Sequence, residues 1–479
     1  MSYETVIGLE VHAELSTKSK IFCSCSTEFG QKENTQTCPV CLGLPGALPV
    51  LNKRVLEYAV KMGMATHCTV HQLSRFARKN YFYPVLPKGY QISQYHEPIL
   101  TEGYVDIQLK DGRKKIGIER IHLEEDAGKS IHDRPGLSGT GIDLNRAGVP
   151  LIEIVSKPDM RSSEEAVAYL KHLHLILRYL DICDGNMEEG SFRCDANISV
   201  RKHGEIKLGT KVELKNINSF KFVKKGIEFE VDRQIQLVES GQAVVQETRL
   251  FDSASGKTFS MRSKEEAHDY RYFTDPDLLT VEVTDEMIAS FKQTMPELPT
   301  EKQDRFVSEY GIPAYDASVL AMDQTVADFF EHVAKSTQDY KLTSNWVMGE
   351  VLRFKKDTEK SSLPISADHL IRLIMLIKEG AVSNSIAKTI LEETITTGKA
   401  PDAIVKEKNL TQISDDSAIR DIVQSVLNEN KDKLAEYLSG KQQLYGFFMG
   451  QCMKRSKGQV NPPLLDKMLR DMLELQKTK

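Results

Sequence analysis

The chain has 479 residues, 40% hydrophobic and 27% charged, with a formal net charge of −5 at pH 7. That length allows roughly two to four domains with sizeable cores. The slight acidity excludes indiscriminate polyanion binding, so any nucleic-acid contact must come from local basic patches. No apolar run approaches the ~18 residues that span a bilayer, and Glu10 and His12 interrupt any signal-like apolar segment near the start. With eight cysteines, some in tight pairs, the expectation is a cytoplasmic protein without a membrane partner, whose thiols ligate metal.

Thr5–Leu15 alternates without a fault: Thr5, Ile7, Leu9, Val11, Ala13 and Leu15 share one face, and Glu10, His12 and Glu14 lie on the other. A period of two over this length predicts a strand with one buried face. Carboxylates and an imidazole in a row on the other face suit a hard divalent cation. Cys23-Ser-Cys25 and Cys38-Pro-Val-Cys41 follow, twelve residues apart. Two short spacings of this kind predict a closed, structural four-cysteine zinc site in a loop-rich insertion.

From Arg75 to Tyr95, basic and aromatic residues interleave on a loop broken by Pro84 and Pro87, with Lys79 and Lys88 among them. Such a surface can hold phosphate and stack a base. Glu119, Glu124, Glu125 and Asp126 then crowd together beside strand-like Ile116, Ile118, Ile121 and Leu123. Four further stretches repeat the opening pattern. Asp143 and Asn145 flank Leu144, and Glu153 is the one acid in the apolar run Val149–Val155. Arg193, Asp195 and Asn197 alternate with Cys194, Ala196 and Ile198; Glu213 and Lys215 alternate with Val212 and Leu214. One face of an antiparallel sheet covers a core and the other is presented outward. Here it would present Glu, His, Asp, Asn, Arg and Lys together, a floor for magnesium and a nucleotide in phosphoryl transfer. No Gly-x4-Gly-Lys-Ser/Thr loop is present, which argues against a P-loop fold.

Met295-Pro-Glu-Leu-Pro299 reads as a linker, and the texture beyond it is helical, with Val326, Phe329, Phe330 and Val333 as one stripe and Leu370, Ile374 and Ile377 as another. Residues 405–479 carry 13 Lys and Arg against 10 Asp and Glu, and no acid occurs between Glu436 and Asp466. A short helix ending in cations is partly explained by its dipole. The width of the acid-free span, with Lys454, Arg455 and Lys457 expected on a loop, points further, to a polyanion.

Seven motifs, from Ile7-Gly-Leu-Glu-Val-His12 and Cys38-Pro-Val-Cys-Leu-Gly-Leu-Pro-Gly46 through Arg78-Lys-Asn-Tyr-Phe-Tyr-Pro84, His122-Leu-Glu-Glu-Asp-Ala-Gly-Lys129, Arg193-Cys-Asp-Ala-Asn197 and Glu213-Leu-Lys-Asn-Ile-Asn218 to Asp269-Tyr-Arg-Tyr-Phe273, cover the N-terminal half. Together they closely resemble the GatB family, the B subunits of bacterial tRNA-dependent amidotransferases, and the resemblance spans essentially the whole chain. It implies an α+β fold: an antiparallel-sheet cradle over residues 1–293, a helical domain over 294–404 and a YqeY-like helical tail over 405–479 that binds tRNA.

The activity it implies is ATP-dependent phosphorylation of the side-chain carboxylate of glutamate misacylated on glutamine tRNA, or aspartate on asparagine tRNA. Ammonia from a glutaminase A subunit then displaces the phosphate, and a small C subunit completes a heterotrimer. Carried onto this chain, the resemblance assigns catalysis to Glu10, His12, Glu125 and Lys79, and nucleotide contacts to Arg193, Asp195, Asn197 and Lys88. It assigns Mg²⁺ to Glu10, His12, Glu125, Glu153, Asp195 and Glu213, structural zinc to Cys23, Cys25, Cys38 and Cys41, and tRNA contacts to Lys454, Arg455 and Lys457. Val85 and Thr274 depart from the family pattern, which has Asp and Pro there. The alternatives are a zinc-containing tRNA-binding protein without phosphoryl transfer and a self-contained ATP-dependent ligase.

Overall fold

The computed structural model describes residues 2–132, 139–261, 270–356, 362–410, 413, 415–456 and 458–477. It divides into two compact units, Met1–Pro299 and Thr300–Lys479.

The first unit is built on a nine-stranded sheet whose central strand is Tyr3–Glu14. Its burial alternates as the sequence does: Ile7, Leu9, Val11 and Ala13 are buried, while Glu10, His12 and Glu14 are partly open. Phe192–Lys202 pairs antiparallel along one edge of that strand and Pro150–Ser156 along the other. Gly112–Glu125 and Leu100–Leu109 continue the sheet beyond Pro150–Ser156. The sheet is not wholly antiparallel as expected: Val212–Lys215 runs parallel to Thr248–Asp252. Those two strands are joined through the helix Phe220–Glu239, the long crossover that a parallel pair requires.

The apolar sheet face is covered by that helix, by Lys53–Ala65 and by Ser163–Tyr179. Asn52, Ser162 and Ser219 cap these three helices by accepting from Arg54 N, Glu165 N and Phe222 N, satisfying donors that have no partner inside the helix. One face is thereby closed and the polar one left for chemistry. A smaller sheet, with Ala77–Asn80 between Tyr90–Ser93 and Phe273–Thr274, brings two of the sequence motifs side by side.

The second unit has two apolar cores. One gathers Phe306, Phe330, Trp346, Leu373 and Ile390, and it includes Ile404 and Val405 of the helix Pro401–Lys408. That helix therefore crosses the expected boundary at 404. The other core gathers Ile419, Val423, Phe448, Leu465 and Leu469.

In the first of these, Glu331 accepts from Arg305 at 2.9 and 3.0 Å and from the Tyr310 hydroxyl at 2.9 Å, with Lys335 at 2.6 Å. Burial raises its pKa, but Arg305, Lys335 and Tyr310 outweigh that and hold it down at about 2. A carboxyl whose pKa is depressed by folding contributes stability above its unfolded value, near 4.5, and the contribution is lost as pH falls through about 2. Glu331→Gln is expected to cost on the order of 1 kcal/mol at pH 7, allowing for solvent screening. Thermal melts should show the gap to wild type closing between pH 4.5 and 2. A gap independent of pH would remove the ion pair as its cause.

Candidate functional site

Pairing register assembles the polar face. His12 lies opposite Glu153 on one side and Arg193 on the other, and Glu153 lies opposite His122. Directly opposed side chains on one face sit about 4.5–5.5 Å apart at Cβ, so this row forms a continuous line across four strands. Glu124, two residues beyond His122, projects from the same face.

The result is a compact cluster. His12 Nε2 is 3.5 Å from Glu153 Oε2 and 3.9 Å from Glu124 Oε1; His122 Nε2 is 3.3 Å from Glu153 Oε2 and 3.7 Å from Glu124 Oε2. One donor atom each from His12, Glu124 and Glu153 lies within 4.8 Å of the others. Burial disfavours charge on both imidazoles, but the facing carboxylates prevail: His12 is held above the usual histidine range, and His122 is raised to about 9. Glu153 is driven well below the carboxylate range; burial opposes this, and the two imidazoles outweigh it. An imidazole with two carboxylates is a donor set that fits a divalent cation of the Mg²⁺ or Mn²⁺ kind.

Glu124 is not among the ligands expected from the sequence, and Glu125 stands in its place there. Neighbouring residues on a strand point to opposite faces, so Glu125 turns away from His12. It accepts from Ile92 N at 2.9 Å and pairs with Lys88, lining a cavity of about 220 Å³ with Lys20, Arg78, Tyr90 and Cys41. Lys88 is thus engaged on the far side of the strand from the His12 cluster. Counting by twos from His122 would have found Glu124.

The other expected magnesium ligands do not converge on His12. Glu10 lies opposite Asp195, and Glu213 opposite Asn197. Lys215 Nζ sits 2.6 Å from Asp195 and 3.5 Å from Glu213, so an ammonium occupies the position expected for metal. Asn197 Nδ2 donates to Glu10 Oε1 at 2.9 Å. Arg193 donates to Asp126 at 2.8 Å and lies 3.5 Å from Glu14, which engages its guanidinium inside the sheet. Burial works against Asp126, but Arg193 and Arg146 hold its pKa at about 2; Glu14, buried beside it, rises to about 8.

Lys79 is the cation that remains available. Its ammonium lies over the rings of Tyr270 (4.9 Å) and Tyr81 (5.7 Å). Burial opposes its charge, but Glu124 and Glu153 outweigh it and raise its pKa, which sets Lys79 beside the cluster. Among the described residues no carboxylate lies within ion-pair distance of it.

Asp143 and Asn145, expected on the polar floor, are not in this sheet. Gly141–Asp143 pairs with Lys129–Ile131 instead, and Asp143 and Asn145 accept from Asn34 N and Gln36 N, fastening the loop between the cysteine pairs. The sulfurs of Cys23, Cys25, Cys38 and Cys41 lie within 4.8 Å of one another. Cys38 and Cys41 Sγ are 3.8 Å apart, matching the ~3.8 Å edge of a tetrahedron with 2.3 Å zinc–sulfur bonds. Cys38 N donates to Cys41 Sγ at 3.1 Å. A hydrogen bond from Cys23, with help from Cys38 N and Lys20 against burial, lowers the Cys41 thiol to about 4.

Of the departures from the family pattern, Val85 is buried and its carbonyl accepts from Gly128 N at 2.9 Å. Thr274 pairs with Ala77 in the small sheet.

In the tail, Lys454 and Arg455 end the helix Leu444–Arg455 and do not sit on a loop; Lys457 lies outside the described residues. Arg455 pairs with Glu429 at 2.7 Å, and Lys441 with Glu436 at 3.1 Å. The acid-free span is therefore bordered in space by acids distant in sequence.

Residues 5–289 match the family described as the GatB/GatE catalytic domain, and residues 328–473 match the family described as the GatB domain. An α+β catalytic domain of the GatB/GatE class, followed by helices, is what the fold presents. The B subunit of the aspartyl/glutamyl-tRNA(Asn/Gln) amidotransferase of Geobacter sp. strain M21 is 55% identical over 478 residues, covering 99% of this chain and all of the relative. Those of Thermodesulfovibrio yellowstonii and Chlorobaculum tepidum are each 54% identical, again over 99% of this chain and all of the relative. The chain belongs to the GatB family, the B subunits of tRNA-dependent amidotransferases. Among the described residues no helix is long and apolar enough to cross a membrane.

Proposed function

We propose that this protein activates the side-chain carboxylate of Glu-tRNA(Gln) or Asp-tRNA(Asn) by ATP-dependent phosphorylation and amidates it with ammonia. The observation that carries this reading is the convergence of His12, Glu124 and Glu153 beside Lys79, which has no carboxylate partner among the described residues. A divalent cation held by those three residues would neutralise phosphate charge as phosphoryl transfer proceeds. Lys79 supplies a fixed positive charge, and its two tyrosines limit water around it. Glu153 and Glu124 hold the imidazoles in place, and His122 supports them from the buried side. Asp195, Asn197 and Arg193 extend the polar floor and bind through residues already ordered by hydrogen bonds, which lowers the entropic cost of holding a substrate.

Ammonia comes from a glutaminase A subunit, and a C subunit completes the complex; the naming of the relatives as B subunits supports this. Amide formation on both misacylated tRNAs by the assembled complex, with and without ATP, tests the reading. ATP-independent amidation would overturn it.

The four cysteines hold one structural zinc, supported by the 3.8 Å sulfur spacing. Cys38→Ser is expected to reduce bound zinc from about one per chain toward none and to open residues 23–41 to proteolysis, because a small loop-rich insertion has little core of its own. Zinc-free wild-type protein, purified without chelators, would defeat this assignment.

A further inference from the structure

Lys20 is fully buried and has no carboxylate partner among the described residues. Its Nζ makes two contacts, Cys41 Sγ at 3.7 Å and the Leu144 carbonyl at 3.3 Å. Other buried or nearly buried lysines of this unit are matched to acids: Lys88 to Glu125, and Lys61 to Glu57 at 2.8 Å. An ammonium removed from water without a counter-charge is costly. Hydrogen bonding to one neutral carbonyl offsets only part of that cost.

The backbone explains how the side chain is aimed. Lys20 N donates to Cys25 O at 3.0 Å, and Ile21 N donates to Gly148 O at 2.9 Å. The residue is thereby clamped between the first cysteine pair and the turn at 144–148. Gly148 has φ +85°, and a Cβ there would approach Lys20 Cδ to 3.4 Å, so the aliphatic stem runs closely against that turn. Its tip reaches Cys41, the buried member of the four thiols.

Four thiolates around Zn²⁺ carry a net charge of −2 by valence. We propose that Lys20 is an outer-shell positioning residue of the four-cysteine centre, donating to the Cys41 thiolate and halving that net charge. The inference rests on the zinc reading above. The compensation is mutual: the loaded centre supplies the anion that the buried ammonium lacks, and the ammonium makes the thiolates cheaper to bury. Without metal, neutral thiols leave Lys20 uncompensated. The sign of a substitution should then depend on the metal. Lys20→Met removes an uncompensated cation from the metal-free protein, and from the loaded protein it removes a paired one.

Full-length wild type, Lys20→Met, Lys20→Gln and Lys88→Met test this, by zinc competition against a chromogenic chelator and by melting with and without zinc. Outer-shell changes typically weaken metal binding by about 10–100-fold, and that is the loss expected for both Lys20 variants. Lys88→Met, in the same cavity but without a thiolate contact, should retain wild-type zinc affinity. The rise in melting temperature on adding zinc should be smaller in the Lys20 variants than in wild type, with the metal-free proteins melting no lower than wild type. A folded Lys20 variant with wild-type zinc affinity overturns the role of Lys20 while leaving the zinc site standing. Wild-type protein that binds no zinc overturns both.

Discussion

Glu124→Gln, in the assembled complex, is expected to abolish amide formation on misacylated tRNA while the partner's glutaminase activity persists. The substitution keeps shape and removes one of two carboxylates facing His12. Loss of a direct ligand should exceed the roughly 10–100-fold typical of an outer-shell change. Glu125→Gln is the informative comparison, since Glu125 faces Lys88 and the opposite side of the strand. If the His12 cluster drives phosphoryl transfer, Glu124→Gln should lose ATP-dependent phosphorylation itself. Defects at Glu125 should leave that step measurable with ATP and tRNA alone. Equal loss of the phosphorylation step in both variants would argue against a centre confined to the His12 face. Melting curves must accompany the assays, because Glu124 is buried and its replacement leaves two imidazoles less compensated.

The second large effect concerns the tail. Deleting residues beyond Leu410 removes the core around Ile419, Phe448 and Leu469 while leaving Ile404 and Val405 in the preceding one. A cut at 404 would instead divide the helix Pro401–Lys408. The truncated protein is expected to assemble with its partners yet lose most tRNA-dependent activity, if the tail grips the tRNA body through shape and backbone contacts. Lys454→Ala should lower the magnitude of the salt slope of tRNA binding by about 0.7–0.9 if that lysine meets phosphate. Arg455→Ala should lower it less, because Glu429 already holds the guanidinium. Unchanged tRNA affinity in the truncated protein would reduce the basic span to a helix terminus complementing its dipole.

Alternation along a strand is a local property, set by the pleat, and the sequence by itself determined everything that follows from it. The buried and open faces of Tyr3–Glu14, the polar rows at Glu153, Arg193–Asn197 and Glu213, and the paired cysteines are all legible without coordinates. The family is legible too, because its motifs are contiguous. Convergence is not local. Which acids meet depends on register between strands far apart in the chain, so only the tertiary structure showed that Glu153 faces His12 and that Lys215 stands between Asp195 and Glu213. The same limit hid the acids beside the tail's cations, since Glu429 lies a helix away from Arg455 in sequence and 2.7 Å away in space. Glu124 was a different case: parity alone distinguishes it from Glu125, and the information was in the chain. Lys20 could not have been singled out at all, because a lysine's burial is decided by what folds over it, here the turn at 144–148 more than a hundred residues on.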